Sequence, residues 1–302
     1  MKKEITTKKE AWLHAVRLRT LPLALASILA GSFLANWKNS FRWEILIFAS
    51  LTTIFLQILS NLSNDYGDTV HGADSAERQG PVRAVQSGII SLAEMKKAMY
   101  LFGFLSLVSG LLLIYLALDD WKLFLLFLAI GLTAIWAAIT YTSGSKPYGY
   151  SGLGDISVFV FFGLTGVLGT YFLHTLSFEP LAVWIAISLG SFSTAVLNIN
   201  NIRDIESDEK AGKKSIPVRI GRKMAVRYNW ILLGIGYLAL VVFAILSQQY
   251  LSFIALLSGI LMLKVGFGVQ NAQSSEATDP FLKKMAISTL LWTILFGIGL
   301  MI

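Results

Sequence analysis

Long apolar segments separated by short polar ones run through the whole chain. A helix needs about 20 mostly apolar residues to cross the roughly 30 Å hydrocarbon layer of a membrane. Such segments are predicted at 20–37, 43–62, 95–118, 122–141, 156–174, 180–200, 226–247, 250–271 and 281–302. These nine spans leave no stretch for a separate soluble domain. The pattern therefore predicts an all-α integral membrane protein that forms one polytopic domain, residues 1–302.

The composition agrees with a membrane protein and narrows the chemistry. Charged residues make up 14% of the 302 residues and hydrophobic residues 55%, whereas a soluble domain has about 25% charged residues. The chain has no cysteine and three histidines. These numbers exclude disulfide, thiolate–zinc and iron–sulfur chemistry and leave little for a histidine metal site. The formal net charge of +7 would fit nucleic-acid binding, so the position of the charges decides its meaning.

Lysine and arginine are concentrated in alternate loops. If the N-terminus lies inside, the outside segments contain Lys38, Arg42 and Lys122, and Lys264 falls within the eighth predicted span. The other 21 of the 25 basic residues lie in the inside segments. Cytoplasmic loops are enriched in these residues. The pattern predicts a cytoplasmic N-terminus and an outside C-terminus, and the net charge becomes a topology signal, with no nucleic-acid partner.

Two long inside loops each begin with a cluster of Asn and Asp residues. The clusters are Asn61, Asn64, Asp65 and Asp68 after the second span, and Asn198, Asn201, Asp204 and Asp208 after the sixth. Residues three or four positions apart share one face of a helix, so each cluster presents carboxylates and amides together. Mg²⁺ prefers carboxylate, water and phosphate oxygens. Two facing clusters would hold two Mg²⁺ ions and a diphosphate.

A simpler interpretation is that both clusters are only polar loop starts. Each cluster, however, places an Asn about one turn back into an apolar span, where a polar group is costly unless it has a function. The paired arrangement therefore favours a site over a coincidence of loop composition.

Basic and aromatic residues in the inside loops complete the candidate site. Cationic side chains near Mg²⁺ suit a polyphosphate, and aromatic rings stabilise a carbocation through cation–π attraction. For Arg83, Lys146 and Arg203, the topology signal explains the charge equally well. The candidates are Arg83, Lys146, Tyr148, Tyr150, Arg203 and Lys210.

The motifs of the three inside loops resemble those of the UbiA superfamily of intramembrane prenyltransferases. These motifs are Leu62-Ser-Asn64-Asp65-Tyr-Gly-Asp68 with Gly80-Pro81-Val-Arg83, Lys146-Pro147-Tyr148-Gly149-Tyr150, and Asn198-Ile-Asn-Asn201-Ile-Arg203-Asp204-Ile-Glu-Ser-Asp208. They are most similar to the branch that prenylates 1,4-dihydroxy-2-naphthoate in menaquinone biosynthesis. One departure is the single base at Lys146, where relatives often have a basic pair.

The resemblance implies nine helices around a central cavity that opens to the cytoplasm and laterally to membrane lipid. It also implies transfer of a polyprenyl group from polyprenyl diphosphate to 1,4-dihydroxy-2-naphthoate, with loss of CO₂ and pyrophosphate, to give demethylmenaquinone. The enzyme would lie in the bacterial cytoplasmic membrane, face the cytoplasm and need no protein partner. The expected catalytic metal ligands are Asp65, Asp68, Asp204 and Asp208, with Asn64 and Asn201 as further ligands or supports. The expected substrate-binding residues are Asn61, Asn64, Arg83, Lys146, Tyr148, Tyr150, Asn198, Asn201, Arg203 and Lys210.

Two alternatives remain open from the sequence. Another UbiA-type acceptor, such as 4-hydroxybenzoate, fits the same motifs because spacing does not define the acceptor pocket. An ion-coupled transporter would also carry intramembrane acids, but it would place them near the middle of the membrane. Here the acids lie at span ends, on one side only.

Overall fold

The computed structural model describes residues 7–72 and 83–302. Within these residues the chain is helical without strands, and nine spans are long and apolar enough to cross a membrane. We number them one to nine in chain order. They are Lys8–Trp37, Trp43–Val70, Leu92–Ala117, Trp121–Thr140, Gly154–Thr175, Ala182–Arg203, Ile216–Ser247, Tyr250–Asn271 and Ser275–Met301. The predicted all-α fold with nine spans is confirmed, whereas the orientation of the termini and the single domain stay predictions.

Several helices differ from the predicted spans at the ends that matter for function. Span two continues to Val70, so Asp65 and Asp68 lie on a helix and not in a loop. Span six ends at Arg203, and a separate short helix, Ile205–Lys210, carries Asp208. Polar residues hide these extensions from a hydropathy pattern. Gly80 and Pro81 of the first-loop motif lie outside the described residues.

Span six is the centre of the larger core. In its apolar segment 78% of the residues are buried, and its backbone packs against spans five, seven and nine. Phe192 lies edge-on to Trp292 and Tyr237, with ring centroids 5.4 and 5.2 Å apart. Gly236 makes the approach of span seven possible, because a Cβ there would lie 2.4 Å from the Phe192 ring. This core holds the second Asp motif in place.

Span one is broken just before it enters the bundle. Arg17 has a left-handed backbone, with φ of 52° and ψ of 58°, and ends the helix Lys8–Val16 before Leu21–Trp37 begins. Asn61 of span two donates its side-chain amide to the carbonyl of Val16 (2.9 Å) and to the hydroxyl of Thr20 (3.1 Å). Helix ends leave carbonyls without a partner, and Asn61 satisfies one of them. The break turns the Arg17 side chain toward the first Asp motif.

Candidate active site

A cavity of about 790 Å³ lies among spans one to six. One end, here called the motif end, is lined by Asp68, Asp204 and Asp208. The walls beyond it are mostly apolar and reach Phe127 and Phe172 near the opposite side of the bundle. The cavity thus combines a charged head and a long apolar body, which matches an amphiphilic substrate.

The first Asp motif is buried beneath basic side chains. Asp65 and Asp68 are each 2% exposed. Asp65 pairs with Arg17 at 2.6 Å and with Arg83 at 3.2 Å. Arg83 also contacts Asp68 at 2.6 Å, and the hydroxyl of Tyr150 donates to Asp68 at 2.7 Å. Two carboxylates at helical spacing are therefore stabilised by two guanidinium groups.

The second Asp motif faces the first across one ammonium group. The Lys213 Nζ atom lies 3.0 Å from an oxygen of Asp68 and 3.2 Å from an oxygen of Asp208. Asp204 is held by its neighbour Arg203, whose Nε and Nη2 atoms donate at 2.8 and 2.6 Å. Lys213 thereby joins residues 140 positions apart in sequence, which brings both motifs to one site.

The electrostatics of the loop residues favour further positive charge at the motif end. Burial raises the pKa of Asp208 to about 6; Lys213 opposes this shift, and the charges of Asp204 and Asp68 add to it. Burial acts to lower the pKa of Lys213, but the charges of Asp68 and Asp208 outweigh burial and raise it. Burial and Asp68 raise the pKa of Tyr150, so its hydroxyl stays protonated. A cation close to Asp208 would favour its ionised form.

The UbiA prenyltransferase family model matches residues 24–297 of the chain. The chain belongs to the UbiA prenyltransferase family. Together with its nine apolar spans, this makes it an integral membrane protein.

Two named relatives of this UbiA-family chain match it over almost the whole length. It is 45% identical to a 1,4-dihydroxy-2-naphthoate octaprenyltransferase from Haemophilus influenzae, with 100% of this chain and 99% of the relative covered. It is 41% identical to a 1,4-dihydroxy-2-naphthoate octaprenyltransferase from Escherichia coli, with 99% and 98% covered.

Solved structures agree on the UbiA fold. The chain is similar to a UbiA homolog from Aeropyrum pernix K1 in its apo form, with a TM-score of 0.68, 16% identity, and 94% and 98% of the two chains covered. It is also similar to a UbiA homolog from Archaeoglobus fulgidus bound to GPP and Mg²⁺, with a TM-score of 0.66, 17% identity, and 95% and 99% covered.

Most of the residues selected from the sequence line the cavity of this UbiA fold. Asp65 is not among the lining residues, but it pairs with Arg17 and Arg83, which are. Tyr148 takes part in the wall, and its hydroxyl is 3.1 Å from the carbonyl oxygen of Ala137 and 3.0 Å from the hydroxyl of Ser157. The lining residues are Asn61, Asn64, Asp68, Arg83, Tyr148, Tyr150, Asn201, Asp204 and Asp208.

Four of the selected residues are placed elsewhere. Asn198 is buried and donates to the Ala225 carbonyl at 3.0 Å, so it joins spans six and seven. Arg203 is 4% exposed and binds carboxylates of the protein itself. Lys146 and Lys210 are exposed and do not belong to the cavity lining. A substrate contact of these four residues stays a prediction, and none of them lines the cavity.

Two basic residues of the site were not selected from the sequence, because the positive-inside rule already explained their charge. Arg17 and Lys213 both line the cavity and contact motif carboxylates. Asp279, in the first turns of span nine, also contacts basic residues near the second Asp motif. It accepts from Arg203 at 2.5 Å and from Arg19 at 3.1 Å. The sequence gives no indication of this network, because its members come from spans one, six and nine.

The donor set of the motif end fits a hard cation in its chemistry. Carboxylate and amide oxygens are the groups that Mg²⁺ prefers, and Asn64, Asp68, Asn201, Asp204 and Asp208 all line the cavity. Within the part of the chain that the structure describes, no group of three or more acidic or histidine side chains is close enough to form a preassembled metal site. The carboxylates are paired with bases instead, so a cation would have to compete with those pairs.

Proposed function

We propose that this chain transfers a polyprenyl group from a polyprenyl diphosphate to 1,4-dihydroxy-2-naphthoate, with loss of CO₂ and pyrophosphate, to give demethylmenaquinol, the reduced form of demethylmenaquinone. The observation that carries the proposal is the pair of Asp motifs facing one another at the head of a long apolar cavity. Identity of 41–45% to two named 1,4-dihydroxy-2-naphthoate octaprenyltransferases supports the same acceptor.

The diphosphate of the donor would bind at the motif end. The Archaeoglobus fulgidus homolog was solved bound to GPP and Mg²⁺, and we infer two Mg²⁺ ions here. When bound, Mg²⁺ supplies Lewis-acid stabilisation of the charge on the departing pyrophosphate. The residues that would hold it are Asn64, Asp65, Asp68, Asn201, Asp204 and Asp208.

Arg17, Arg83 and Lys213 have a double role in this scheme. In the structure they neutralise the motif carboxylates at 2.6–3.2 Å. With Mg²⁺ bound to the carboxylates, the same side chains would be available for the phosphate oxygens, and Arg suits such bidentate contacts. Each buried carboxylate of the two motifs would therefore have a positively charged partner both with and without substrate.

Cleavage of the allylic carbon–oxygen bond leaves a carbocation beside pyrophosphate. The rings of Tyr148 and Tyr150 line the cavity close to the motif end, where cation–π attraction stabilises such a charge. The apolar walls exclude water that would otherwise capture the cation. Electron density from the two ring oxygens of the acceptor drives the attack, which lowers the demand for a protein base.

Two buried hydroxyls mark the part of the cavity that we assign to the acceptor ring. Ser27 and Ser193 line the cavity, and their Oγ atoms have no hydrogen-bond partner among the described residues. A buried hydroxyl without a partner is costly, and the phenolic oxygens of an aromatic acceptor would satisfy both groups. Leu23 and Val196 supply apolar surface for the ring.

A product assay tests the function directly. Purified protein, Mg²⁺ and octaprenyl diphosphate are offered 1,4-dihydroxy-2-naphthoate or 4-hydroxybenzoate, and products are identified by mass. We expect a decarboxylated prenyl naphthoquinol from the first acid and at least 100-fold less product from the second. The second acid lacks one ring oxygen, so a buried polar group of the site would be left without a hydrogen-bond partner. Product from 4-hydroxybenzoate alone would show another acceptor, and ion flux into liposomes without pyrophosphate release would favour a transporter.

We also propose that the site faces the cytoplasm of a bacterial cell and needs no protein partner. The orientation is supported by the concentration of 21 basic residues in the segments on the side of the Asp motifs, which is the cytoplasmic side under the positive-inside rule.

Asp279 is expected to act as a positioning residue for the second motif. Asp279→Asn removes one anionic partner of the buried Arg203 guanidinium, which leaves Arg203 free to pull Asp204 away from its position. We expect a 10–100-fold weaker response to Mg²⁺, the usual effect of losing a residue that orients a metal ligand. The measurement is the Mg²⁺ concentration needed for half-maximal thermal stabilisation and for half-maximal activity.

Glu276→Gln is the matched control for Asp279→Asn, because Glu276 is an exposed acid in the first turn of the same helix. Asp279→Glu should restore part of the Mg²⁺ response. A fall in the melting temperature with an unchanged Mg²⁺ midpoint would show that Asp279 is only structural.

A further inference from the structure

One buried acid of the cavity differs from the acids of the two Asp motifs. Among the described residues the buried acids are Asp65, Asp68, Asp155, Asp204 and Asp208. Each of the four motif carboxylates contacts a basic side chain. Asp155, at the start of span five, is 7% exposed, and no basic side chain of the described residues pairs with it. Charge pairing therefore does not explain why this carboxylate is buried.

A phenol of span seven satisfies only part of the Asp155 carboxylate. The Tyr228 hydroxyl donates to the Oδ2 atom of Asp155 at 2.9 Å. An ionised carboxylate has about four acceptor positions on its two oxygens, and a buried carboxylate without partners is costly. Asp155 also lines the cavity. Its remaining acceptor positions are thus suited to a ligand of the cavity that brings an O–H or N–H group.

Only one of the two substrates in the proposed function brings such a group. The diphosphate is an anion, which a carboxylate repels, and an isoprenoid tail has no polar atom. The acceptor 1,4-dihydroxy-2-naphthoate has two hydroxyls. Its 1-hydroxyl lies next to the carboxylate of the same molecule and donates to it internally. The 4-hydroxyl is therefore the group that is free to donate to the protein.

The packing of span five on span six places Asp155 about one helical turn from Ser193. A Cβ on Gly154 would lie 3.3 Å from the side chain of Leu197. Because consecutive spans run in opposite directions, this contact puts Asp155 level with Val196, three residues beyond Ser193. Three residues rise roughly 4.5 Å along a helix. One oxygen atom can bridge such a distance through two hydrogen bonds of about 2.8 Å each.

Ser193 has the complementary hydrogen-bonding need. Its Oγ atom is buried, has no partner among the described residues and belongs to a side chain that lines the same cavity. A phenolic hydroxyl donates one hydrogen bond and also accepts. A single ring hydroxyl between the two side chains would donate to Asp155 and accept from Ser193, so it would satisfy both groups.

We propose that Asp155 accepts a hydrogen bond from the 4-hydroxyl of the aromatic acceptor and thereby selects acceptors that carry this hydroxyl, with Tyr228 as a positioning residue. This inference rests on the proposed function and names one contact of its acceptor site. A hydrogen bond to an ionised group is roughly twice as strong as one between neutral groups. An acceptor without the 4-hydroxyl leaves a buried carboxylate without that partner, and sites built for a hydroxyl reject such analogues strongly.

Binding of two matched acids tests this contact without turnover. The acids are 1,4-dihydroxy-2-naphthoate and 1-hydroxy-2-naphthoate, which differ only in the 4-hydroxyl. Their Kd values are measured by calorimetry with Mg²⁺ and inorganic pyrophosphate present and prenyl diphosphate left out. Asp155→Asn keeps the shape of the side chain and removes its charge. We expect it to weaken binding of the dihydroxy acid about 10–100-fold, the range for one hydrogen bond to a charged group.

The monohydroxy acid gives the diagnostic comparison. Asp155→Asn should bind it at least as tightly as the wild-type protein does, because a neutral amide is less costly to leave without a partner. Equal weakening of both acids would show that Asp155 is only structural, and unchanged binding of the dihydroxy acid would remove the contact. Either result overturns the inference.

Tyr228→Phe tests the positioning role. It keeps the ring and removes the hydroxyl that holds the Oδ2 atom of Asp155, so we expect about threefold weaker binding of the dihydroxy acid only. The double variant with Asp155→Asn should lose no more than Asp155→Asn alone, because Tyr228 acts through Asp155. Additive losses would contradict the positioning role.

Tyr237→Phe is the matched control for Tyr228→Phe. Tyr237 lies on the same span, its hydroxyl is 2.8 Å from the hydroxyl of Ser258, and it does not line the cavity. Both Kd values should stay within twofold of wild type in Tyr237→Phe.

A metal titration separates an acceptor contact from a metal ligand. With prenyl diphosphate present, the Mg²⁺ concentration for half-maximal thermal stabilisation should be the same in Asp155→Asn and wild type. A shifted midpoint would assign Asp155 to the metal site and overturn the acceptor contact. Failure of the wild-type protein to transfer a prenyl group to any aromatic acid would instead contradict the proposed function.

Discussion

Asp68→Asn is expected to lower the rate of prenyl transfer by about 10²–10³-fold, the range seen when one group that stabilises developing charge is removed. Asp68 lies where both motifs converge, since Arg83, Lys213 and Tyr150 all contact it. The amide keeps the size of the side chain but removes the charge that would bind Mg²⁺. The loss should appear in pyrophosphate release under saturating donor and acceptor.

A binding measurement distinguishes this loss from misfolding. A ligand that binds only the folded state raises stability in proportion to the logarithm of its concentration over Kd. Mg²⁺ with donor should therefore raise the melting temperature of the wild-type protein and not that of Asp68→Asn. Asp119→Asn is the control, because Asp119 is an exposed acid at the opposite end of the bundle. Wild-type activity in Asp68→Asn would remove the motif from the mechanism.

The spans were predictable because the membrane imposes one requirement on every helix that crosses it. Each span needs about 20 apolar residues, and the composition of this chain leaves few other ways to place them. The helix ends were less predictable. Asp65 and Asp68 continue the helix of span two to Val70, and hydropathy falls there although the backbone does not change.

The acidic half of the site was predictable and the basic half was not. Acids are rare in this chain, so Asp204 and Asp208 at helical spacing stand out. Lys213 and Arg17 do not stand out from the other basic residues, because the positive-inside rule already explains a base at each position. Only the fold shows that Lys213 joins Asp68 and Asp208 while Lys146 stays exposed.

The contacts of Arg203 could not be predicted from its neighbours in sequence. Its neighbour Asp204 made it a candidate for the substrate, but in the structure the guanidinium donates to Asp204, Asn200 and Asp279. A buried guanidinium with one missing partner is strongly destabilising, and Asp279 comes from span nine, 76 residues away. No local pattern encodes that contact.

Lys213→Met is expected to lower kcat/KM for the donor by about 10²-fold, because the ammonium group joins the two Asp motifs and stands where pyrophosphate charge develops. Methionine keeps most of the apolar length of the side chain and removes the charge. Lys213 also lies over the Tyr150 ring, 4.8 Å from its centroid. Loss of the ammonium group would therefore remove a contact with Tyr150 as well as the contacts with the two Asp motifs. Lys213→Arg should recover part of the activity, since it restores a cation that can contact both Asp68 and Asp208.

Lys214→Met is a control from the very next residue. Lys214 is exposed, and its backbone N–H, which the substitution leaves in place, donates to the Tyr150 carbonyl at 2.8 Å. We therefore expect activity within twofold of wild type. Lys146→Met provides a second comparison, because the sequence alone favoured Lys146 for the phosphate. A larger loss in Lys146→Met than in Lys213→Met would place the phosphate contact in the loop between spans four and five and show that donor binding rearranges the site. Donor kinetics of the three variants, measured side by side at one Mg²⁺ concentration, decide between these two bases.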